Sequence, residues 1–492
     1  MAEQMVGAFA DAAVKTDEKQ SLDVSKQLTS NTNASNISGD VGFKSAEEAV
    51  QEESLLLSYK DSKGLDDLET IIQRKKEAVD LSPMGLDRAE ALQSLAVSLS
   101  ARYRRFGELK DLEKAIQLDQ EAVDLTPKDH LDIAHRLYNL GVSLSDRYQR
   151  LGELKDLEAA LEKFHEAVDL TPKDPNRVQY LEGLALCFKE RFQKLGNIKD
   201  LDEAMQNFQV VLDITPESHP NRPEYMYNLA AAFRARYQES GELSDLIAAV
   251  ETNQETLNNT PDGHPDKASW MQGLAISLGL RFQRLGDVSD LNAALDEFQK
   301  AVNLTADDHP EKAWYLGNLG TALQEQYLRS DNLDDLEAAL HNLQRAVDLT
   351  PEGQPSKASW MRNLAVSYGY RYQMLEDLHD LETALQKFQQ VVELIPEGHP
   401  NEGGCRRDLA IALQDRYRRL GDLNDLDRAL ENFQKAVELT AEDHPAKADR
   451  LQALAACLQS RYHRLKDHSD LEAALERKQE MNIHIEQITF EA

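Results

Sequence analysis

Two markers recur along this chain in one fixed register, and any fold it adopts must house every copy of both. An aromatic residue, usually preceded by Arg, stands at Tyr59, Tyr103, Tyr148, Phe192, Tyr237, Phe282, Tyr327, Tyr372, Tyr417 and Tyr462, at steps of 44 or 45 residues. An Asp-Leu pair keeps the same step, from Asp67-Leu68, Asp111-Leu112 and Asp156-Leu157 through to Asp470-Leu471. A period of this length marks stacked supersecondary units, none of which buries its apolar faces alone. Ten units follow, the first and last degenerate.

Each unit reads as two helices. In the third, Leu137, Leu140, Gly141, Leu144 and Tyr148 fall at three- and four-residue steps, one face of a helix. Gly152 suits a left-handed stop. Asp156 then opens a second stripe, Leu157, Ala160, Leu161, Phe164, Ala167 and Val168, either as a cap or through the helix dipole. Pro172 ends it. The next unit begins shortly after, often behind His-Pro, as at His219-Pro220, His264-Pro265 and His309-Pro310. No useful stretch alternates with period two, so strands are not expected. At the position of Phe164, Phe208, Phe298, Phe388 and Phe433, the end units carry Lys75 and Lys478, as terminal units with a solvated side would. The expected fold is all-α, a right-handed superhelical solenoid of about ten antiparallel helix pairs over residues 44–488. A polar leader, residues 1–43, is expected to be disordered, and residues 489–492 form a tail.

The second helix of the third unit, Ala160-x3-Phe164-x2-Ala167-x4-Pro172, resembles the second half of a tetratricopeptide repeat, and Leu140-Gly141 matches that repeat's Leu-Gly pair. The units here are longer, with about two turns added to the first helix, in Ser145-Asp-Arg-Tyr-Gln-Arg, and a longer joint. Leu137 and Leu144 stand where the pattern has Trp and Tyr. The long form is similar to arrays in large fungal signalling proteins, some of which carry a caspase-like protease domain after the repeats. No such domain is found here, so protease activity does not transfer. The resemblance implies a protein-binding array whose first helices line a concave surface.

Composition narrows the partners. With 55 Lys and Arg against 87 Asp and Glu the formal charge is -32, which repels phosphate backbones and anionic lipid. Nucleic acid and membrane are therefore excluded as expected partners, and a protein or peptide bearing basic or anionic motifs is preferred. No basic region precedes an apolar run at the start, and no stretch approaches a membrane span. Cys187, Cys405 and Cys457 lie far apart without metal-ligand spacing and read as reduced thiols of a cytoplasmic or nuclear protein.

Candidate site residues follow from the columns of the first helix. Asn139, Asn228, Asn318 and Asn363 share the column just before the Leu-Gly pair, which in the tetratricopeptide family often contacts a peptide backbone; the alternative is a polar face or a bridge between units. Arg362, Arg407 and the adjacent Arg406 form a cluster suited to a carboxylate or phosphate, or to neutralising Asp408. The family's carboxylate clamp is not supported, because the column for its other Asn reads Val142, Leu186, Ala231, Ile276 and Thr321. The repeating Arg, nine residues before the repeating Asp in eight units, reads as a link across each hairpin. Tyr180, Tyr225, Trp270, Tyr315 and Trp360 read as packing, and the His of His-Pro as a turn residue. Gly403-Gly404 in the ninth unit should fray its first helix. No motif for catalysis, cofactor or metal is present. The expected function is a non-catalytic scaffold or adaptor that binds a peptide or partner helix in a concave groove. The alternative is the sensor region of a fungal immune-type signalling protein lacking its effector domain.

Overall fold

The computed structural model describes residues 62–491, residues 397 and 443 excepted. The leader, with Tyr59 and the first helix of the first unit, lies outside the described residues. All regular structure among the described residues is helical. They form two compact units, one ending at Gly286 and one beginning at Asp287. The first holds α1 (Ser62–Leu81), α2 (Leu86–Phe106), α3 (Leu109–Asp124), α4 (Ile133–Leu151), α5 (Leu154–Leu170), α6 (Arg177–Leu195), α7 (Ile198–Ile214), α8 (Arg222–Ser240), α9 (Leu243–Asn258) and α10 (Lys267–Leu285). The second holds α11 (Val288–Leu304), α12 (Lys312–Ser330), α13 (Leu333–Leu349), α14 (Pro355–Leu375), α15 (Leu378–Leu394), α16 (Glu402–Leu420), α17 (Leu423–Glu438), α18 (Lys447–Leu465) and α19 (His468–Glu491). Even-numbered helices are the first helices of their repeats and odd-numbered ones the second. Within each unit a helix packs mainly on the helices before and after it in sequence. This is a tetratricopeptide-like helical array.

The repeating residues build the hairpin turn. Gly152, Gly196, Gly241 and Gly421 sit in the left-handed region after the first helix, each amide bonded back to the carbonyl of the repeating aromatic. Two residues later the second helix begins, and Asp156 and its equivalents occupy its first turn. The cap itself is the residue after the glycine position where that is Asn or Asp, as at Asn197, Asp377 and Asp422. Seven of the eight Arg-Asp pairs close as forked, two-nitrogen bonds of 2.5–3.0 Å, Arg147 with Asp156 and Arg416 with Asp425 among them. The eighth, Arg281 with Asp290, falls where the two compact units divide.

The joints between repeats use a device the sequence reading missed. Thr at the end of a second helix returns its hydroxyl to the carbonyl four residues back, as Thr171 does to Ala167 at 2.6 Å. A cation at the start of the next first helix then caps the last carbonyls: Lys312 reaches Val302 O and Thr305 O at 2.7 and 2.6 Å, and Lys447 and Arg222 do the same in their repeats. The joint histidines have the turn role expected of them. In His219, His264, His309, His399 and His444, Nδ1 accepts from the backbone N–H two residues on, at 3.0–3.2 Å.

Packing explains the glycines inside helices. A Cβ at Gly141 or Gly183 would stand 2.9 or 2.8 Å from the buried Phe164 ring, so both must lack one. The aromatic column Tyr180, Tyr225, Trp270, Tyr315 and Trp360 is buried throughout, as packing requires. In the ninth repeat, α16 is regular from Glu402, and Cys405 N–H bonds Asn401 O at 3.0 Å. The expected fraying is therefore corrected. Arg450 packs over Gly403, where a Cβ would lie 2.5 Å from Arg450 Nη1.

Candidate polypeptide-binding face

The second helices bury one stripe and leave the other in solvent, so a binding face has to be sought on the first helices. In the first compact unit, Asn139 on α4 is half-buried, its amide 3.4 Å from His135 Nε2. Asn228 on α8 is fully buried, and neither carboxamide atom has a hydrogen-bond partner. Two turns on, Arg234 is fully buried with all three guanidinium nitrogens unpartnered. In the second unit, Asn318 on α12 is buried, and Asn363 on α14 donates to Thr321 Oγ1 of the preceding repeat at 3.0 Å.

The arginine cluster is partly satisfied from within. Arg362 on α14 bonds Asp408 of α16 through Nε and Nη2 at 2.8 and 2.7 Å. Arg407 Nε stands 3.9 Å from the other oxygen of Asp408. Arg406 is turned elsewhere: it bonds Glu402 at 2.8 Å, and Glu402 also accepts from Gly398 N–H at 3.0 Å. The Gly398 bond, then Arg406, holds the Glu402 carboxyl below its usual range. The structure thus brings Arg362, Arg407 and Asp408 together and sets Arg406 apart.

Sequence reasoning missed Arg450 on α18. It occupies the column filled by Trp and Tyr in the middle repeats, and that switch of residue type was the available signal. It is buried, bonds Thr440 Oγ1 through Nη1, and points Nη2 at the same spot above Gly404 as Arg362 Nη2, 3.8 and 3.9 Å from where a Cβ would be. Burial, then the Arg407 charge, presses its pKa below the ordinary arginine value.

Chemistry of other kinds is not assembled. Among the described residues no group of three or more His, Cys, Asp or Glu is placed to hold a metal ion. Cys187, Cys405 and Cys457 are buried free thiols. Among the described residues no helix is long and apolar enough to cross a membrane.

No protein-family model matches the sequence, and no curated protein matches it. Solved structures do. Tetratricopeptide-like repeats of a kinesin light chain from Podosopora anserina align at 19% identity over 44% of this chain and 98% of that one, with a TM-score of 0.33. A tetratricopeptide repeat protein from Parabacteroides merdae aligns at 16% over 65% and 98%, at 0.39. Human IFIT1, solved with PPP-AAAA, aligns at 14% over 86% and 93%, at 0.40. The likeness concerns the helical repeat fold alone. One expectation is corrected here: net charge does not rule out nucleic acid as a partner, because arrays of this fold include one solved with capped and triphosphorylated AAAA ligands. The physical reason is that net charge sums over a whole surface, whereas a ligand meets only the local field.

Proposed function

We propose that this chain is a non-catalytic scaffold, working in the cytoplasm or nucleus, that seats a polypeptide segment against the face formed by its first helices. The observation behind this reading is where unmet hydrogen-bonding capacity lies. Among the described residues, buried unpartnered side-chain atoms concentrate on first helices, in Ser100, Asn228, Arg234, Gln414 and Arg450, with Asn253 Oδ1 and His484 Nε2 as exceptions on second helices. Each such atom costs about 1–3 kcal/mol unless something supplies its bond. An extended backbone offers donors and acceptors in alternation, which suits a carboxamide such as that of the half-buried Asn139. Within the second compact unit the first helices are accessible on α14, where Gly369 has nothing within 4 Å of its Cβ position.

A photo-crosslinker attached at Gly369→Cys, with the exposed second-helix site Glu382→Cys as control, tests this in the full chain. Incubated with a random peptide library, the probe at 369 should capture peptides and the probe at 382 should not. Equal capture from both sites, or none from 369, would overturn the assignment of the face.

A further inference from the structure

Between the joint of the second and third repeats and the joint of the ninth and tenth, one exchange leaves a bond unmade. Arg136 on α4 and Arg450 on α18 occupy equivalent positions, and both anchor on the threonine that ends the preceding second helix, Thr126 and Thr440. In the third repeat Arg136 Nε is satisfied by Gln93 Oε1 at 3.3 Å. The residue equivalent to Gln93 is Arg407, which has no acceptor to offer. Arg450 Nε is accordingly buried without a partner. A second cation stands in the place of Gln93, where an acceptor is required.

The surroundings do not supply one. Arg362, Arg407 and Arg450 converge on the single carboxylate of Asp408, which Arg362 already holds at 2.7 Å. Three guanidinium groups against one carboxylate leave an excess of two positive charges, with Cys405 the other titratable neighbour of Arg450. Gly404 forms the floor between Arg362 Nη2 and Arg450 Nη2, and its missing side chain keeps the space above it clear.

We propose that this notch above Gly404 binds the phosphate of a phosphorylated side chain in the polypeptide that the first-helix face seats. A phosphomonoester carries about −1.5 to −2 charges at neutral pH and three acceptor oxygens, matching the excess and the two Nη2 groups that meet above Gly404, whereas a carboxylate leaves about one charge unmet. One isolated anionic group is favoured over a phosphate backbone, since the arginines meet at one spot above Gly404 rather than along a track. The proposal rests on the reading of the first-helix face, and the two fail in different ways.

Full-length protein is immobilised and offered four fluorescent pools at physiological ionic strength: random peptides with a fixed central phosphoserine, the same with serine, the same with glutamate, and 5′-phosphorylated oligoadenylate. The phosphoserine pool should be retained at least tenfold more than the serine and glutamate pools and more than the oligonucleotide, and inorganic phosphate should compete. Gly404→Glu places a carboxylate in the notch without replacing any arginine, and Arg407→Gln restores the acceptor that Gln93 supplies to the third repeat. Both should keep the circular dichroism of the parent and lose most of the phosphoserine preference. Equal retention of serine and phosphoserine pools, with crosslinking at 369 intact, overturns the phosphate site and leaves the face. Equal retention of the glutamate pool, tighter retention of the oligonucleotide, or a preference that survives both variants overturns it too.

Discussion

Arg147 and Asp156 lie nine residues apart, and the turn at Gly152 folds them back into a forked pair at 2.6 and 2.8 Å. Asp156 is buried, so removing its partner leaves a desolvated charge. The arginine is about a quarter exposed, which screens part of that cost. Arg147→Met is expected to destabilise by about 1–3 kcal/mol in urea unfolding. The chain carries its own control: Gln326 stands where the arginine would be, and Asp335 is then less buried and accepts only from Ser330 at 3.0 Å. Asp335→Ala should fall within about 0.5 kcal/mol of the parent. Asp119 supplies a second test. It takes the column of Phe164, is buried, and accepts from Ser143 Oγ at 2.9 Å, and burial pushes its carboxyl up to about 7. The native state therefore keeps a proton that the unfolded chain loses near pH 4, so the contribution of Asp119 to stability is intact below about pH 4 and declines as pH rises to about 7. Asp119→Asn, which cannot ionise, should flatten that decline and gain about 1–3 kcal/mol at pH 8. The Arg-Asp link was legible because eight copies repeat it. Arg450 was not, since its meaning appears only when its column and that of Arg407 are compared in space.

At the scale of elements, the hairpin shows how far one residue's backbone preference reaches. The glycine position after the first helix is filled by Asp331, Glu376 and Lys466 in three repeats, yet the backbone there stays left-handed, with φ of 50°, 55° and 59°. Side chains adopt that region at a cost of roughly 1 kcal/mol, less for Asp than for Glu or Lys. Glu376→Gly should raise stability by up to about 1 kcal/mol, and Asp331→Gly by less, since Asp tolerates the conformation; thermal unfolding would rank them. A loss of stability in Glu376→Gly would mean that unfolded-state entropy outweighs the relief of strain. Helix positions, stops and the packing role of the aromatic column could all be read from period and propensity. The regular start of α16 could not. Propensity charges Gly403 and Gly404 with loosening the helix, but Arg450 packs over Gly403, and tertiary packing overrides the local preference.

Across the whole molecule, the period disclosed helix pairs that pack on their sequence neighbours, while the net charge was a poor guide to partners. A charge of -32 argues against phosphate only as a total, and Arg362, Arg407 and Arg450 create a cationic spot within the acidic array. Totals hide such spots because screening confines each field to about 8–10 Å. The same locality governs stability. A helix here meets chiefly the one before and the one after it, so stability is a sum of repeat and interface contributions rather than a property of one core. Phe433 tests this. Its ring is buried in the cluster that joins α15, α16, α17 and α18, and Phe433→Ala should cost about 3–5 kcal/mol locally. Hydrogen exchange should then accelerate across α14–α19, while amides of α2–α8, in the other compact unit, keep the protection they have in the parent. Equal acceleration in α2–α8 would show a single cooperative transition spanning both units and would remove the additive description of this array.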